Sequence, residues 1–138
     1  MPVIITTPRP PLNLFEVVRI AVTDVWTTIY EVPKYRIPAS GPTPQRDIGA
    51  AALLTGAVVA NTAAVPITAS ARILNTSGTP FALLTDIQIP IGDYLLLDLE
   101  RQVLKSDEII QVKCATAQTA NVHLSFVLNQ REEFEVIV

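Results

Sequence analysis

The sequence has little of what enzymes, metalloproteins and disulfide-stapled domains depend on. Its 138 residues include one cysteine and one histidine, and its five glycines are dispersed. One cysteine excludes an intramolecular disulfide and fits a protein made in a reducing cytosol. One cysteine and one histidine are too few for a zinc site, and the scattered glycines form no phosphate-binding loop.

Charge is also scarce. Charged residues make up 17% of the chain, below the roughly 25% usual for soluble domains, and the formal net charge is −3. Lysine and arginine form no run of the kind that nucleic-acid-binding proteins carry, so we expect no nucleic-acid partner. So little charge favours a surface that is partly buried against other protein. A free surface rich in Thr, Ser and Gln is the alternative.

Long apolar runs are missing as well. No stretch reaches the roughly 18 to 20 apolar residues of a membrane span. Residues 1–5 lack the basic region and long apolar core of a signal peptide. We therefore expect a soluble protein with no membrane partner and no cleavable signal.

What the chain does contain is alternation of apolar and polar residues. Between 65 and 73, apolar residues hold the odd positions, while Thr68, Ser70 and Arg72 hold the even ones. The pattern returns at 110–114 and 121–126. A period of two predicts strands with one dry and one wet face. The dry face of the first strand is predicted to be Val65, Ile67, Ala69, Ala71 and Ile73.

Eight to ten short strands are separated by turn signals, and no helical period is sustained. This pattern predicts an all-β fold, either an antiparallel β-sandwich or a jelly-roll-like barrel with an extended N-terminal arm. A helical turn at 50–54 is the alternative to a strand over 48–61, where Gly56 indicates a bulge or close packing. The strands at 108–115 and 121–128 are predicted to form a hairpin through 116–120.

Two proline-rich segments flank the first strands. Residues 1–14 form an arm that is too apolar for a free tail, so we favour its docking on a neighbouring subunit. The β-domain is predicted to span 15–138. Its long loop at 33–47 is either a partner contact or a mobile connector. The candidate partner-binding residues are Val3, Ile4, Ile5, Leu12, Leu14 and Phe15 in the arm, and Tyr35, Arg36 and Arg46 in the loop.

The residues able to do chemistry are isolated from one another. His123 lies on the wet face of its strand, whereas Cys114 falls on the dry face of another, so no Cys–His dyad is predicted. The carboxylates lie in scattered turns without the spacing of a calcium loop. Trp26 is predicted to fill the core together with Tyr30 and Val32, with a ligand platform as the alternative. We expect no enzymatic activity, no cofactor and no bound metal.

Several segments, taken in order, resemble small virion structural proteins of tailed bacteriophages, especially phages of aquatic bacteria. The resemblance covers roughly 15–128. Ser106 stands where the related pattern often has a glycine before the aspartate of the last turn, so the turn type is open. The arm and the loop at 33–47 are not part of the pattern. The segments are 25–33, 55–62 followed by the strand at 65–73, and 89–93 followed by 103–112 and a closing strand ending at 125–126.

The resemblance implies a non-enzymatic β protein carried in many copies on a phage particle. Such proteins act as capsid decoration or cement proteins, or as neck, tail or fibre components. Cement proteins often assemble as trimers at the junctions of capsid subunits. The implied partners are the major capsid protein or another virion protein, together with further copies of this chain, in the virion after synthesis in the host cytoplasm. A receptor- or glycan-binding tail module is the alternative.

Overall fold

The computed structural model describes residues 4–5, 12–37, 39, 41–42, 44, 46–97, 102–130 and 136–137. Within these ranges the chain forms twelve β-strands and no helix. The strands are β1 (Ile4–Ile5), β2 (Leu12–Val22), β3 (Thr27–Glu31), β4 (Lys34–Ile37), β5 (Arg46–Ala60), β6 (Ile67–Leu74), β7 (Pro80–Ile89), β8 (Tyr94–Leu97), β9 (Val103–Lys105), β10 (Ile109–Cys114), β11 (Ala120–Gln130) and β12 (Val136–Ile137).

Two antiparallel sheets pack face to face. The smaller sheet has the strand order β3-β10-β6-β7, and the larger has the order β2-β11-β5-β4, with β8 and β9 also paired to β5. β1 and β12 form a separate antiparallel pair. The predicted β-sandwich is confirmed.

β5 is the longest strand, with 15 residues, and has a central place in the larger sheet. One edge pairs with β11 over residues 50–60. The opposite edge pairs with β9 at 51–53 and with β8 at 57–60, while β4 pairs with 46–49. β5 therefore has hydrogen-bonded partners along both edges, while its inner and outer faces still alternate between buried and more exposed residues.

The core fills the space between the two sheets. It is built from alternate residues of each strand, as the period of two predicts. Cys114 is buried among these residues, and the rings of Tyr30 and Phe126 join the two sheets with centroids 4.1 Å apart. The largest fully buried side chains are Val22, Val32, Leu54, Val59, Ile67, Ile89, Leu104, Ile110, Val112, Val122 and Leu124.

A β-bulge in β5 confirms one of the two interpretations of Gly56. The register passes from Ser125 opposite Gly56 to Phe126 opposite Leu54, which leaves Thr55 as the extra residue. A Cβ atom at Gly56 would lie 3.8 Å from Ser125 Oγ, an ordinary contact, so crowding does not require the glycine. The bulge moves the buried positions from even to odd. They are Ala50, Ala52 and Leu54 before it, and Ala57 and Val59 after it.

A second bulge overturns the predicted core position of Trp26. Ile110 of β10 lies opposite Tyr30, but the next residue, Gln111, lies opposite Thr28, so β3 has one extra residue at this point. Thr28 therefore faces outward although Tyr30 packs against the core. Trp26 shares the outer face with Thr28 and contacts charged side chains there.

The predicted hairpin of 108–115 with 121–128 is wrong. β10 pairs with β3 and β6 in the smaller sheet, whereas β11 pairs with β2 and β5 in the larger one. β10 and β11 each have one apolar face, and these two faces meet across the interior. Residues 115–119 therefore carry the chain from the smaller sheet to the larger one. Cys114 and His123 consequently lie in different sheets.

Two residues of the segment 65–73 differ from the predicted alternation of dry and wet faces. β6 begins at Ile67, and Val65 lies before it with 56% of its surface exposed, so Val65 does not belong to the dry face. Ser70, predicted to be on the wet face, is buried because Asp86 of β7 lies against its hydroxyl.

Much of the segment predicted as a loop at 33–47 is strand. β4 occupies Lys34–Ile37 and pairs with the first residues of β5, from Arg46 opposite Ile37 to Gly49 opposite Lys34. The connection between the two strands is therefore shorter than predicted.

The turn at Ser106 is built without the glycine of the related pattern. Asp107 takes the left-handed conformation, with φ of 68°, which aspartate tolerates better than most residues. Ser106 Oγ accepts a hydrogen bond from Ala50 N at 2.7 Å and donates one to Ala50 O at 3.1 Å. These bonds attach the turn to β5.

Candidate interaction surfaces

The predicted arm residues fall in two places. Val3 lies outside the described residues. Ile4 and Ile5 form β1, opposite Ile137 and Val136 of β12. The remaining three arm residues, Leu12, Leu14 and Phe15, lie in β2 and are part of the larger sheet.

The three predicted loop residues lie on one strand pair. Tyr35 is opposite Ile48, and Arg36 is opposite Asp47, while Arg46 begins β5. The strand pairing brings them together, and their role in binding a partner stays a prediction.

An apolar row crosses the outer face of the larger sheet on four strands. Val127 of β11 lies opposite Phe15 of β2 on one side and Leu53 of β5 on the other, and Leu53 lies opposite Val103 of β9. Phe15 is 86% exposed, Val103 53% and Leu53 43%. Directly opposed side chains on one face of a sheet are close neighbours, so the row is a contiguous apolar strip. Only Phe15 of this row was predicted from the sequence as a partner contact, because the other three residues belong to distant segments.

A cavity of about 390 Å³ lies beside this row, at the bulge of β5. His123, opposite both Arg19 and Val58, lines it together with exposed Val17 and Leu96. The lining combines apolar side chains with hydroxyl and basic groups.

A second surface lies on the outer face of the smaller sheet, where two cations contact Trp26. Arg72 Cζ is 4.0 Å from the centroid of the indole ring, and Lys113 Nζ is 5.0 Å from it. Both distances are within the range of cation–π attraction. Trp26 is half-buried on the outer face of the sheet, and its role as a ligand platform stays a prediction.

Hydrogen bonds hold the polar groups of this second surface. Arg72 Nε donates to Gln111 Oε1 at 2.9 Å, and Gln111 Nε2 donates to Thr28 Oγ1 at 3.3 Å. Between β6 and β7, Asp86 N donates to Ser70 Oγ at 2.9 Å. Asp86 has φ of +50°, at a point where the register of β7 against β6 shifts.

The described ranges lack two further kinds of feature. They contain no group of three or more His, Cys, Asp or Glu side chains placed to hold a metal ion. They also contain no helix with the length and apolar character needed to cross a membrane.

Cys114 gives the structure a pH-dependent contribution to stability. Burial, and secondarily the Asp24 carboxylate, raise the pKa of the Cys114 thiol. The unfolded chain therefore releases this proton first, from about pH 8.5 upward, and the contribution of the protonated thiol is lost as the pH rises through the folded-state pKa. Between pH 7 and pH 10, we expect the wild type to lose more free energy of unfolding than Cys114→Ala. Urea titrations at both pH values measure this, and an equal loss in the two proteins contradicts it.

No protein-family model matches the chain, and no curated protein matches it. Among solved structures, it is similar to a chain of Bacillus endospore appendages, a novel family of disulfide-linked pili. The identity is 12% and the TM-score 0.41, over 93% of this chain and 96% of that one.

It is also similar to chains from infectious bursal disease virus. For the T13 particle the identity is 11% and the TM-score 0.41, and for the Gx strain they are 12% and 0.34. The matches cover 94% and 95% of this chain but 37% and 42% of the viral chains. Similarities at this level assign no function.

Proposed function

We propose that this chain is a non-enzymatic virion structural protein, most specifically a capsid decoration or cement protein of a tailed phage. The observation that carries the proposal is the exposed apolar row of Phe15, Val127, Leu53 and Val103 across the larger sheet. Exposed contiguous apolar surface on a folded domain marks an interaction site. Buried against the major capsid protein or another virion protein, the row would stabilise subunit junctions.

One further feature supports many-copy assembly. The low content of charged residues, 17%, suits a surface that is largely covered. Assembly of this chain as a homo-oligomer, for which we favour a trimer, would add avidity through effective concentration even if each contact is modest. The arm residues Val3, Ile4 and Ile5, and the strand-pair residues Tyr35, Arg36 and Arg46, are proposed as further contacts.

A neck, tail or fibre component is the alternative, and copy number distinguishes it from cement. Quantitative mass spectrometry of purified particles of the encoding virus measures this number against the major capsid protein. A value on the order of hundreds supports cement, whereas about six to twelve copies, as in one cyclic ring, supports an adaptor. Absence of the chain from the particles contradicts both.

Replacing Phe15 tests the apolar row directly. Because Phe15 is 86% exposed, Phe15→Ser is expected to change the free energy of unfolding by no more than about 0.5 kcal/mol. Loss of a buried aromatic anchor at an interface costs about 2 kcal/mol or more, so binding to capsids that lack this protein is expected to weaken by about thirtyfold. Co-sedimentation with such capsids measures the affinity.

The matched control for this experiment is Val25→Ser. Val25 is also an exposed apolar residue, but it lies before β3 and outside the row. The Val25→Ser variant is expected to bind the capsids as tightly as the wild type does. Wild-type binding by Phe15→Ser, with the fold intact, overturns the role of the row.

A further inference from the structure

Arg72 is held in place but retains unused donors. Its guanidinium stacks 4.0 Å from the Trp26 ring centroid, and its Nε is bonded to Gln111 Oε1. Gln111 is itself buried and fixed by Thr28. A guanidinium carries five N–H donors, and no described residue accepts a hydrogen bond from the Nη atoms of Arg72. Two donor groups in a fixed orientation therefore remain for a ligand.

Lys113 places a second positive charge at the same ring. It lies diagonally across from Arg72, because Gln111 is opposite Arg72 and Lys113 is opposite Ser70. Within the described part of the chain, no carboxylate forms an ion pair with either cation. Two like charges beside one ring repel each other, and an anion bound between them would offset that repulsion.

The two cations border a cavity of about 310 Å³. This volume is at the lower end of the range for small-ligand sites. The opposite wall, from β7, is apolar at Pro80, Ala82 and Leu84 and ends at the Asp86 carboxylate. The register shifts of β7 and the positive φ of Asp86 shape this wall, and such irregularities concentrate at functional sites.

We propose that this cavity binds an acidic side chain of a partner protein, presented on a segment with a neighbouring apolar residue. The carboxylate would accept two parallel hydrogen bonds from Arg72, with Lys113 adding charge. The apolar residue would contact the β7 wall, and a backbone N–H of the segment would donate to Asp86. An acidic sugar would satisfy the cations equally, but it would place hydroxyl groups against Pro80, Ala82 and Leu84. The inference does not depend on a role in a virion.

Trp26 makes the test direct, because it is the only tryptophan in the chain. The full chain is titrated with a synthetic six-residue peptide of alternating Glu and Leu, and its tryptophan emission is followed. We expect a saturable change, with an affinity at least tenfold weaker for the peptide in which Gln replaces Glu. Added salt should weaken the interaction, because the contacts are exposed ion pairs. Anisotropy of a dye-labelled peptide gives a second readout.

Two variants and a control locate the site. Arg72→Gln is expected to weaken binding of the Glu/Leu peptide at least tenfold. Arg72→Lys, which keeps the charge but loses the planar fork, should recover only part of the affinity. Lys105→Gln removes an exposed lysine on β9 in the other sheet and should bind as the wild type does. Circular dichroism verifies that each variant is folded.

Three results would overturn the proposal. The first is no saturable change in emission or anisotropy at millimolar peptide. The second is equal affinity of wild type and folded Arg72→Gln. The third is a response to N-acetylneuraminic acid without a response to the peptide, which would make the cavity a sugar site.

Discussion

Phe126→Ala is expected to lower the free energy of unfolding by about 3–5 kcal/mol. Phe126 is 2% exposed, and its ring contacts Tyr30 from the opposite sheet at a centroid distance of 4.1 Å. The substitution removes the transfer energy of a whole ring and leaves a cavity where the two sheets meet. Since small domains are stable by about 5–15 kcal/mol, this one change would consume a large part of the total.

Phe15→Ala is the matched control, because it removes the same side chain from the outer face. Phe15 lies on β2, opposite Val127, the neighbour of Phe126 on β11. Its high exposure predicts a loss of no more than about 0.5 kcal/mol. Urea denaturation of both variants measures the difference, and losses of similar size would contradict the assignment of inner and outer faces.

Asn61→Ala is expected to cost about 2–4 kcal/mol, because this one side chain links the loop after β5 to the end of β7. Asn61 is 3% exposed. Its Nδ2 lies 2.9 Å from Val65 O, 3.1 Å from Ile89 O and 3.1 Å from Pro90 O, and its Oδ1 accepts from Ala63 N at 2.8 Å. Alanine would leave the buried Ile89 carbonyl without this donor, at a cost of about 1–3 kcal/mol, and would remove the bonds to the part-buried Val65 and Pro90 carbonyls.

Asn75→Ala provides the comparison for Asn61. The Asn75 side chain also accepts hydrogen bonds, from Ser77 N and Thr79 N, but both bonds are local and exposed in the β6–β7 turn. Water replaces them readily, so the expected loss is about 1 kcal/mol or less. Urea titrations of both variants measure the two losses in free energy of unfolding. An Asn61→Ala loss no larger than that of Asn75→Ala would contradict the bridging role.

The interaction surfaces show how far sequence reasoning reaches. Sequence alone placed His123 on an exposed face and Cys114 in the core, because each lies in an alternating strand. It identified Phe15 but none of its row neighbours, since nothing local connects residues 15, 53, 103 and 127. The Trp26 cluster was missed for a different reason. Extrapolating a period of two through Trp26 and Tyr30 assumes an unbroken ladder, and β3 has a bulge between them.

The sequence by itself determined the fold class, most strands and which residues are apolar enough to be buried. These properties depend on the local alternation of apolar and polar residues and on turn residues. Such local patterns are common to antiparallel sheets, whichever strands pair. Only the tertiary structure decided that β10 and β11 belong to different sheets, and that bulges in β3 and β5 exchange their inner and outer faces. Strand partners and bulges are set by contacts between residues far apart in the chain. The two candidate surfaces are consequences of that long-range pairing.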